Sequence, residues 1–385
     1  MENFRFHNPT EIVFGRGSID ELTSLVPRDA KVLMLYGGGS IHRNGVYEQV
    51  RDALKSHDVI EFGGIEPNPR HETCMKAVDL ARKTGAAFLL SVGGGSVLDG
   101  TKYIAAAIPF NGDDPWDILA RGASVNQALP LGCVLTLPAT GSESNGFSVI
   151  SRDSTGEKLA FYSPLVYPKF AVLDPAVTVT LNARQTANGI IDAYAHVLEQ
   201  YLTYDVNAPL QDRQAEAILL TLIEEGPKVL ANPSDYDARA NVMWSATNAL
   251  NGLIACGVPQ DWTTHMIGHE LTALYGLDHA QTLAIVFPAT LRRLRAHKRE
   301  KLARYARRVW NLEDADENAL TEQAIERTEA FFRSLGVKTR LAEYGIRQGL
   351  DRIPERLEKR GSFPLGERGD VDANVTRDIL ALCAE

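Results

Sequence analysis

The chain has 385 residues, 44% of them hydrophobic and 23% charged, with a formal net charge of −9 at pH 7. That length exceeds one ordinary hydrophobic core and predicts two domains, while the composition excludes disordered and fibrous classes. The negative balance argues against a nucleic-acid partner, no apolar run approaches the length of a bilayer span, and the first residues carry no apolar leader, so a cytoplasmic protein that engages neither nucleic acid nor membrane is expected.

Residues 31–36 form a short apolar run that stops at Gly37-Gly38-Gly39-Ser40, the pattern of a buried strand ended by turn residues. Helical spacing follows at 46–54, a second strand at 59–63, and a helix at 72–83 closed by Gly85. A third strand at 86–92 again runs into glycines, Gly93-Gly94-Gly95-Ser96, with a helix expected at 97–107. Continuous apolar strands alternating with helices predict a parallel sheet covered on both faces. From 131 to 174 the pattern changes to strand-like pieces at 131–136, 147–151 and 170–173, joined by polar loops. Beyond 184 almost everything reads as helix, notably 186–203, 211–229, 238–253, 263–274 and 320–335. The domain boundary is expected near 180–182, giving an α/β domain over 1–181 and an all-helical domain over 182–385. The basic stretch 291–309 keeps Leu291, Leu294, Leu302, Tyr305 and Val309 roughly on one helical face, which predicts a solvated amphipathic helix. Cys74, Cys133, Cys256 and Cys383 form no CxxC pair, which supports neither a zinc knuckle nor a disulfide framework and suits a reducing compartment.

Two Gly-Gly-Gly-Ser turns therefore follow buried strands, and the second has Ser96 and Asp99 at the opening of a helix. Glycine lets the backbone approach a diphosphate, and free N–H groups at a helix start attract an anion. Tight strand-to-helix turns need no ligand, however, and the GxGxxG fingerprint is absent. A polar loop at 136–145, rich in hydroxyls and small residues, ends the strand after Leu131, and Lys158 adds a positive charge downstream. Several such features at the strand ends of one sheet favour a bound dinucleotide.

Asp192 and His196 stand four residues apart inside one helical stretch, which places both on one face. His265 and His269 repeat the spacing on a later helix, and His279 follows. Imidazole and carboxylate donors suit a divalent first-row ion such as Zn²⁺ or Fe²⁺. On one unbroken helix His279 would lie about 21 Å beyond His265, so both can be ligands only if the helix stops between them, and Gly276 supplies a break. Spacing alone leaves His265 and His269 open as the paired ligands.

Together these residues resemble the iron-containing, or group III, alcohol dehydrogenases, within them the bacterial NADPH-dependent aldehyde reductase and butanol dehydrogenase branch. The resemblance spans nearly the whole chain. It rests on Phe14-Gly15-Arg16-Gly17, Gly64-Ile65-Glu66-Pro67-Asn68-Pro69, the segments 91–102 and 135–145, the Asp192/His196 helix and the segment from His265 to His279. It implies a Rossmann-like parallel sheet joined to a helical metal domain, an architecture shared with dehydroquinate synthase. It implies metal ligands Asp192, His196, His265 and His279, with His269 unligated beside substrate and nicotinamide. The implied cofactor contacts fall on Gly37, Gly38, Gly39, Ser40, Asn68, Gly94, Gly95, Ser96, Asp99, Thr136, Asn145 and Lys158, and Thr140 and Arg43 complete the candidate set. One departure stands out: many members surround the last ligand with Pro-His-Gly, and this chain has Asp278-His279-Ala280.

The expected reaction is hydride transfer from NADP(H) to the carbonyl carbon of a small aldehyde, giving an alcohol, with a divalent ion as Lewis acid and His269 as proton donor. The NADPH preference follows from the first turn. NAD-binding domains usually place an acid beyond a strand end to bind the ribose hydroxyl, whereas here no acid occurs between Gly37 and Tyr47, and Ser40 and Arg43 can meet a 2′-phosphate. A lyase of the dehydroquinate synthase kind would need a basic cluster beside the metal for its phosphorylated substrate, and none adjoins Asp192, His196 or His265. A non-enzymatic binding module leaves the co-occurrence of both sites without a reason. The expected assembly is a homo-oligomer, a dimer.

Overall fold

Aliphatic runs bounded by glycine fold as eight strands among the described residues: β1 (Glu11–Phe14), β2 (Val32–Tyr36), β3 (Val59–Phe62), β4 (Phe88–Gly94), β5 (Leu131–Leu137), β6 (Phe147–Arg152), β7 (Glu157–Tyr162) and β8 (Phe170–Leu173). The computed structural model describes residues 1–314 and 316–384, so Glu385, the last residue of the expected helical domain, lies outside the described residues. Six strands form one parallel sheet in the order β1-β8-β5-β4-β2-β3, and β6 and β7 pair as a separate antiparallel hairpin. Helices α1 (Leu22–Leu25), α2 (Val46–Ala53), α3 (His71–Thr84), α4 (Gly95–Ala107) and α5 (Asp117–Ala120) accompany the sheet.

The strand pattern explains why both faces are covered. Leu33 and Leu35 of β2 pack to one side with Leu89, Cys133 and the α3 residues Cys74 and Val78. Val32 and Met34 pack to the other with Leu90, Val134 and the α2 residues Val46 and Val50. From β2 the chain first adds β3 on one side and then places β4 on the other. The carboxyl ends of β2 and β4 therefore flank a topological switch point, where ligands of open α/β sheets bind.

The second glycine run differs from the expected loop. β4 continues through Gly93 to Gly94, and α4 begins at once with Gly95. The missing side chains permit this junction, because a Cβ on Gly93 would stand 2.6 Å from Val97 Cγ2. Strands β1 and β7 lie outside the strand segments that the sequence pattern predicts.

The second half of the chain supplies α6 (Ala183–Tyr201), α7 (Pro209–Ala231), α8 (Tyr236–Ala249), α9 (Thr263–Tyr275), α10 (His279–Arg293), α11 (Arg295–Arg308), α12 (Glu317–Ser334), α13 (Arg352–Lys359) and α14 (Ala373–Ala384). The chain forms two compact units. The α/β unit comprises His7–Leu181 with Pro233–Thr247, and the helical unit takes Met1–Phe6, Asn182–Asn232 and Asn248 onward. Inside the helical unit, Ile267 and Leu271 of α9 share a core with Ile285 and Val286 of α10, Ile353 and Leu357 of α13, and Ile379 and Leu380 of α14. No helix among the described residues is long and apolar enough to cross a membrane.

The basic stretch corrects an expectation. It is not one solvated helix: α10 ends at Arg293, Leu294 caps it, and α11 starts at Arg295. Several of its cations point inward because acids elsewhere in the helical unit receive them. Lys298 is buried against Asp261 and Glu367, Lys301 is buried against Asp212, and Arg292 bridges Glu322 and Glu329.

Candidate active site

Helix α6 opens with Asn182, whose side chain accepts from the Gln185 amide, and it is buried along most of its length. Asp192 and His196 lie one turn apart on it, 3% and 5% exposed. Helix α9 carries His265 and His269 and ends at Gly276 with φ 70°, a left-handed cap that costs glycine nothing. After that break His279 is the first residue of α10, fixed there by Asp278 and Gln281 in a reciprocal capping box. Arg184 and Asn188 of α6 both donate to Asp278 Oδ2, at 3.0 and 2.8 Å.

This folding brings donor atoms of Asp192, His265 and His279 within 4.8 Å of one another. His279 Nε2 lies 3.6 Å and His196 Nδ1 3.8 Å from Asp192 Oδ1. Ligands bonded at about 2.1 Å in a tetrahedron stand about 3.4 Å apart, so the spacing suits one ion. His196 stands beside the trio, outside that mutual distance, with its ring 4.7 Å from the His265 ring. Burial holds His196 down at about 4 against the opposing pull of Asp192, so its imidazole is neutral, the form that ligates. Its Nδ1 is buried without a hydrogen-bond partner among the described residues. One carboxylate and three imidazoles fit a divalent first-row ion. His269 lies at the margin, its ring 5.1 Å from that of His279 and 6.4 Å from that of His265.

The α/β unit assembles a different set at the switch point. The first turn of α4 has no side-chain cap and no acid, which leaves its amides directed at the carboxyl end of β4. A Cβ on Gly95 would stand 2.4 Å from Thr140 Oγ1, and one on Gly94 would stand 3.1 Å from Leu137 Cβ, so these glycines keep α4 tight against the loop after β5. Asn68, at φ 56°, takes Lys158 Nζ on its Oδ1 at 2.8 Å, and its amide meets Ser96 Oγ at 3.3 Å. Thr136 is buried at the end of β5. At the end of β2, a Cβ on Gly38 would meet nothing within 4 Å, Gly39 takes φ 85°, and Ser40 and Arg43 are exposed.

Asp99 and Asn145, like Asn68 and Lys158, have polar atoms engaged within the protein. Asp99 accepts from Ser142 Oγ at 2.6 Å and from the Val149 amide at 2.9 Å. Asn145 Oδ1 accepts from Lys102 Nζ at 3.1 Å and its Nδ2 donates to Gly141 O at 2.8 Å. Sequence reading passed over Lys102, which is fully buried and also donates to Ser142 Oγ and to the Phe147 carbonyl, each at 2.8 Å. It ties α4 to the 136–145 loop. Its signal was a charged residue inside an otherwise apolar helix. Glu199 was passed over too, although it stands seven residues beyond Asp192, on the same helical face.

The family model for iron-containing alcohol dehydrogenases matches residues 9–175, and that for the C-terminal part of the Fe-containing alcohol dehydrogenase family matches residues 186–359. The chain is 57% identical over 382 residues to the NADPH-dependent aldehyde reductase YqhD of Escherichia coli K12, covering 98% of this chain and 99% of that one. A crystal structure of E. coli YqhD superposes with a TM-score of 0.98 at 56% identity, covering 99% of each chain. The NADH-dependent butanol dehydrogenase A of Thermotoga maritima gives a TM-score of 0.96 at 38% identity, covering 100% of this chain and 99% of that one.

Proposed function

This chain belongs to the iron-containing alcohol dehydrogenase family, and from that membership we propose that it is an NADPH-dependent reductase that turns small aldehydes into primary alcohols, and runs the reverse, with one divalent ion. The observation that carries this reading is the end-to-end similarity, at 57% identity, to an NADPH-dependent aldehyde reductase. Asp192, His196, His265 and His279 would hold the ion, Fe²⁺ or Zn²⁺, and the family's name favours iron. The amides at the start of α4, with Ser96, Asn68 and Lys158 beside them, would receive the diphosphate and its neighbouring groups.

When bound, the ion polarises a carbonyl oxygen as a Lewis acid and NADPH supplies the hydride. The chain's own residues do the rest. His196, kept neutral by burial, presents a lone pair rather than a proton. As a carbonyl carbon gained a hydride its oxygen would gain negative charge, and the imidazolium of His269, directly or through a water, would give that oxygen a proton and return to neutral imidazole, leaving an alcohol. Lys102 holds the loop of residues 136–145 in place through Ser142, Asn145 and Phe147. All four cysteines are free and buried, which suits a reducing cytoplasm.

Family membership leaves the choice of dinucleotide open, since relatives of both kinds occur. The turn after β2 favours NADPH, because it offers glycine amides, a serine and an exposed arginine and no carboxylate. The test is to follow nicotinamide absorbance with a panel of aldehydes, using metal-loaded protein and each cofactor in turn. Consumption of NADPH that stops on chelation and returns with Fe²⁺ or Zn²⁺ is expected. A metal-loaded protein that oxidises neither cofactor with any aldehyde overturns the reading.

A further inference from the structure

Helix α6 carries a second carboxylate on the face that bears Asp192 and His196. Glu199 is 2% exposed, and its Oε1 lies 3.1 Å from the His265 amide nitrogen and 3.1 Å from His265 Nδ1. A backbone amide can only donate, so Oε1 is an acceptor there, and the same oxygen suits Nδ1–H as its second donor. A proton on Nδ1 leaves the lone pair on Nε2, the nitrogen turned away from Glu199.

The backbone of Glu199 is held as well. The Glu199 carbonyl accepts the Asp261 amide at 2.9 Å. Asp261 Oδ1 accepts the Thr263 amide at 2.9 Å, at the first residue of α9, and Asp261 Oδ2 meets Lys298 Nζ at 2.5 Å. Lys298 is 3% exposed and donates further to the Leu202 carbonyl at 2.7 Å and to Glu367. The Trp262 ring meets the His265 imidazole edge to face, centroids 5.1 Å apart. The ring is thus held by the carboxylate of a residue whose backbone is tied to a buried ion-pair network.

We infer that Glu199 is the positioning residue of the metal centre: its carboxylate sets His265 in the Nδ1–H tautomer and directs Nε2 at the ion. This rests on the metal reading above and deepens it. A carboxylate behind a ligating imidazole fixes its orientation and raises its basicity, so the ion is held more tightly than four ligands alone would hold it. Glu199→Gln keeps an acceptor oxygen for both N–H groups and removes the charge.

The experiment titrates Zn²⁺ into the full chain, stripped of metal, in competition with a chromophoric chelator, for the unmodified protein and for Glu199→Gln. A loss of about 10–100-fold in Zn²⁺ affinity is expected, with the melting temperature of the metal-free protein unchanged. Unchanged affinity overturns the role of Glu199 while leaving the metal reading intact. An unmodified chain that binds no Zn²⁺ overturns both. Imidazole ¹⁵N spectra of the zinc-loaded unmodified protein, with His265 assigned by its loss in His265→Asn, decide the matter even where the glutamine variant fails to fold. Protonated Nδ1 with metal-bound Nε2 supports the inference, and metal-bound Nδ1 overturns it.

Discussion

The amide of Asp278 donates to Gln281 Oε1 at 3.0 Å while the Asp278 carboxylate receives the Gln281 backbone, and His279 sits inside that box as the first residue of its helix. An N-cap aspartate thus sets the place of this histidine. Asp278→Ala should cost about 1 kcal/mol of stability, and it also releases the Arg184 and Asn188 side chains. The variant should fold, melt lower and retain less metal. Metal content per chain after gel filtration is the readout, and full retention would show that the cap does not govern His279.

His265→Ala and His279→Ala should each abolish metal retention, because each removes one of the donors that lie within 4.8 Å of one another. His196→Ala is expected to weaken retention too, although His196 stands beside that trio. Elemental analysis of purified variants checks all of them. A fully occupied His279→Ala protein would return the assignment to an HxxxH pair.

His269→Ala should keep the ion and slow turnover by about 10²–10⁴-fold, the usual worth of general acid–base help. Its ring lies beyond the trio, 5.1 Å from that of His279. Metal analysis beside steady-state kinetics separates the two roles: an inactive variant that has lost its metal identifies a ligand.

Gly37→Asp should weaken NADPH far more than NADH, and Arg43→Ala should cost NADPH selectively. A Cβ at Gly37 meets the Ile65 carbonyl oxygen at 3.2 Å, so a modest loss of melting temperature is expected along with the change in preference. Catalytic efficiencies measured with both cofactors decide it, and equal values in the unmodified enzyme would refute the preference.

Burial pulls Lys102 down to about 8, against the opposing effect of Asp99, from an ordinary value of 10.5. Between those values the unfolded chain binds more protons at this site than the folded one, so the stability linked to it is present above the unfolded value and lost as pH falls through the folded one. The unfolding free energy of the unmodified protein minus that of Lys102→Met should therefore rise with pH across this window. Urea denaturation at several pH values between the two measures it; a flat difference contradicts the shift.

The parts of the fold legible in the sequence were those that local pattern specifies. The apolar runs of β2 and β4, the Gly85 cap of α3 and the Gly276 break between α9 and α10 are all written in adjacent residues. Strand β1, four residues long, was not legible, because its strand character depends on pairing with β8. The same limit applied to the site. Spacing pointed to Asp192 with His196, whereas the bond from Glu199 to His265 joins residues 66 positions apart and leaves no periodic trace. Lys298 and Lys301 read as solvated because the acids that receive them, Asp261 and Asp212, are distant in sequence. Asp99 and Asn145 are expected among the cofactor contacts from the family resemblance, and their side chains also bond within the protein, Asp99 to Ser142 and Asn145 to the Gly141 carbonyl.

The pairing of Glu11 with Phe170 sets a schedule for the nascent chain. At about 5–20 residues per second, β1 waits roughly 8–30 s on the ribosome before its neighbour has been made. The segment Pro233–Thr247, which completes the same unit, emerges later still. Until then the main chain of Ile12 and Val13 lacks its partner strand, and β8 is also needed to join β1 to β5. Synthesis of this protein therefore passes through a stage in which the sheet, built as far as β5, has an unguarded edge, the stage at which a holding chaperone would have most to protect.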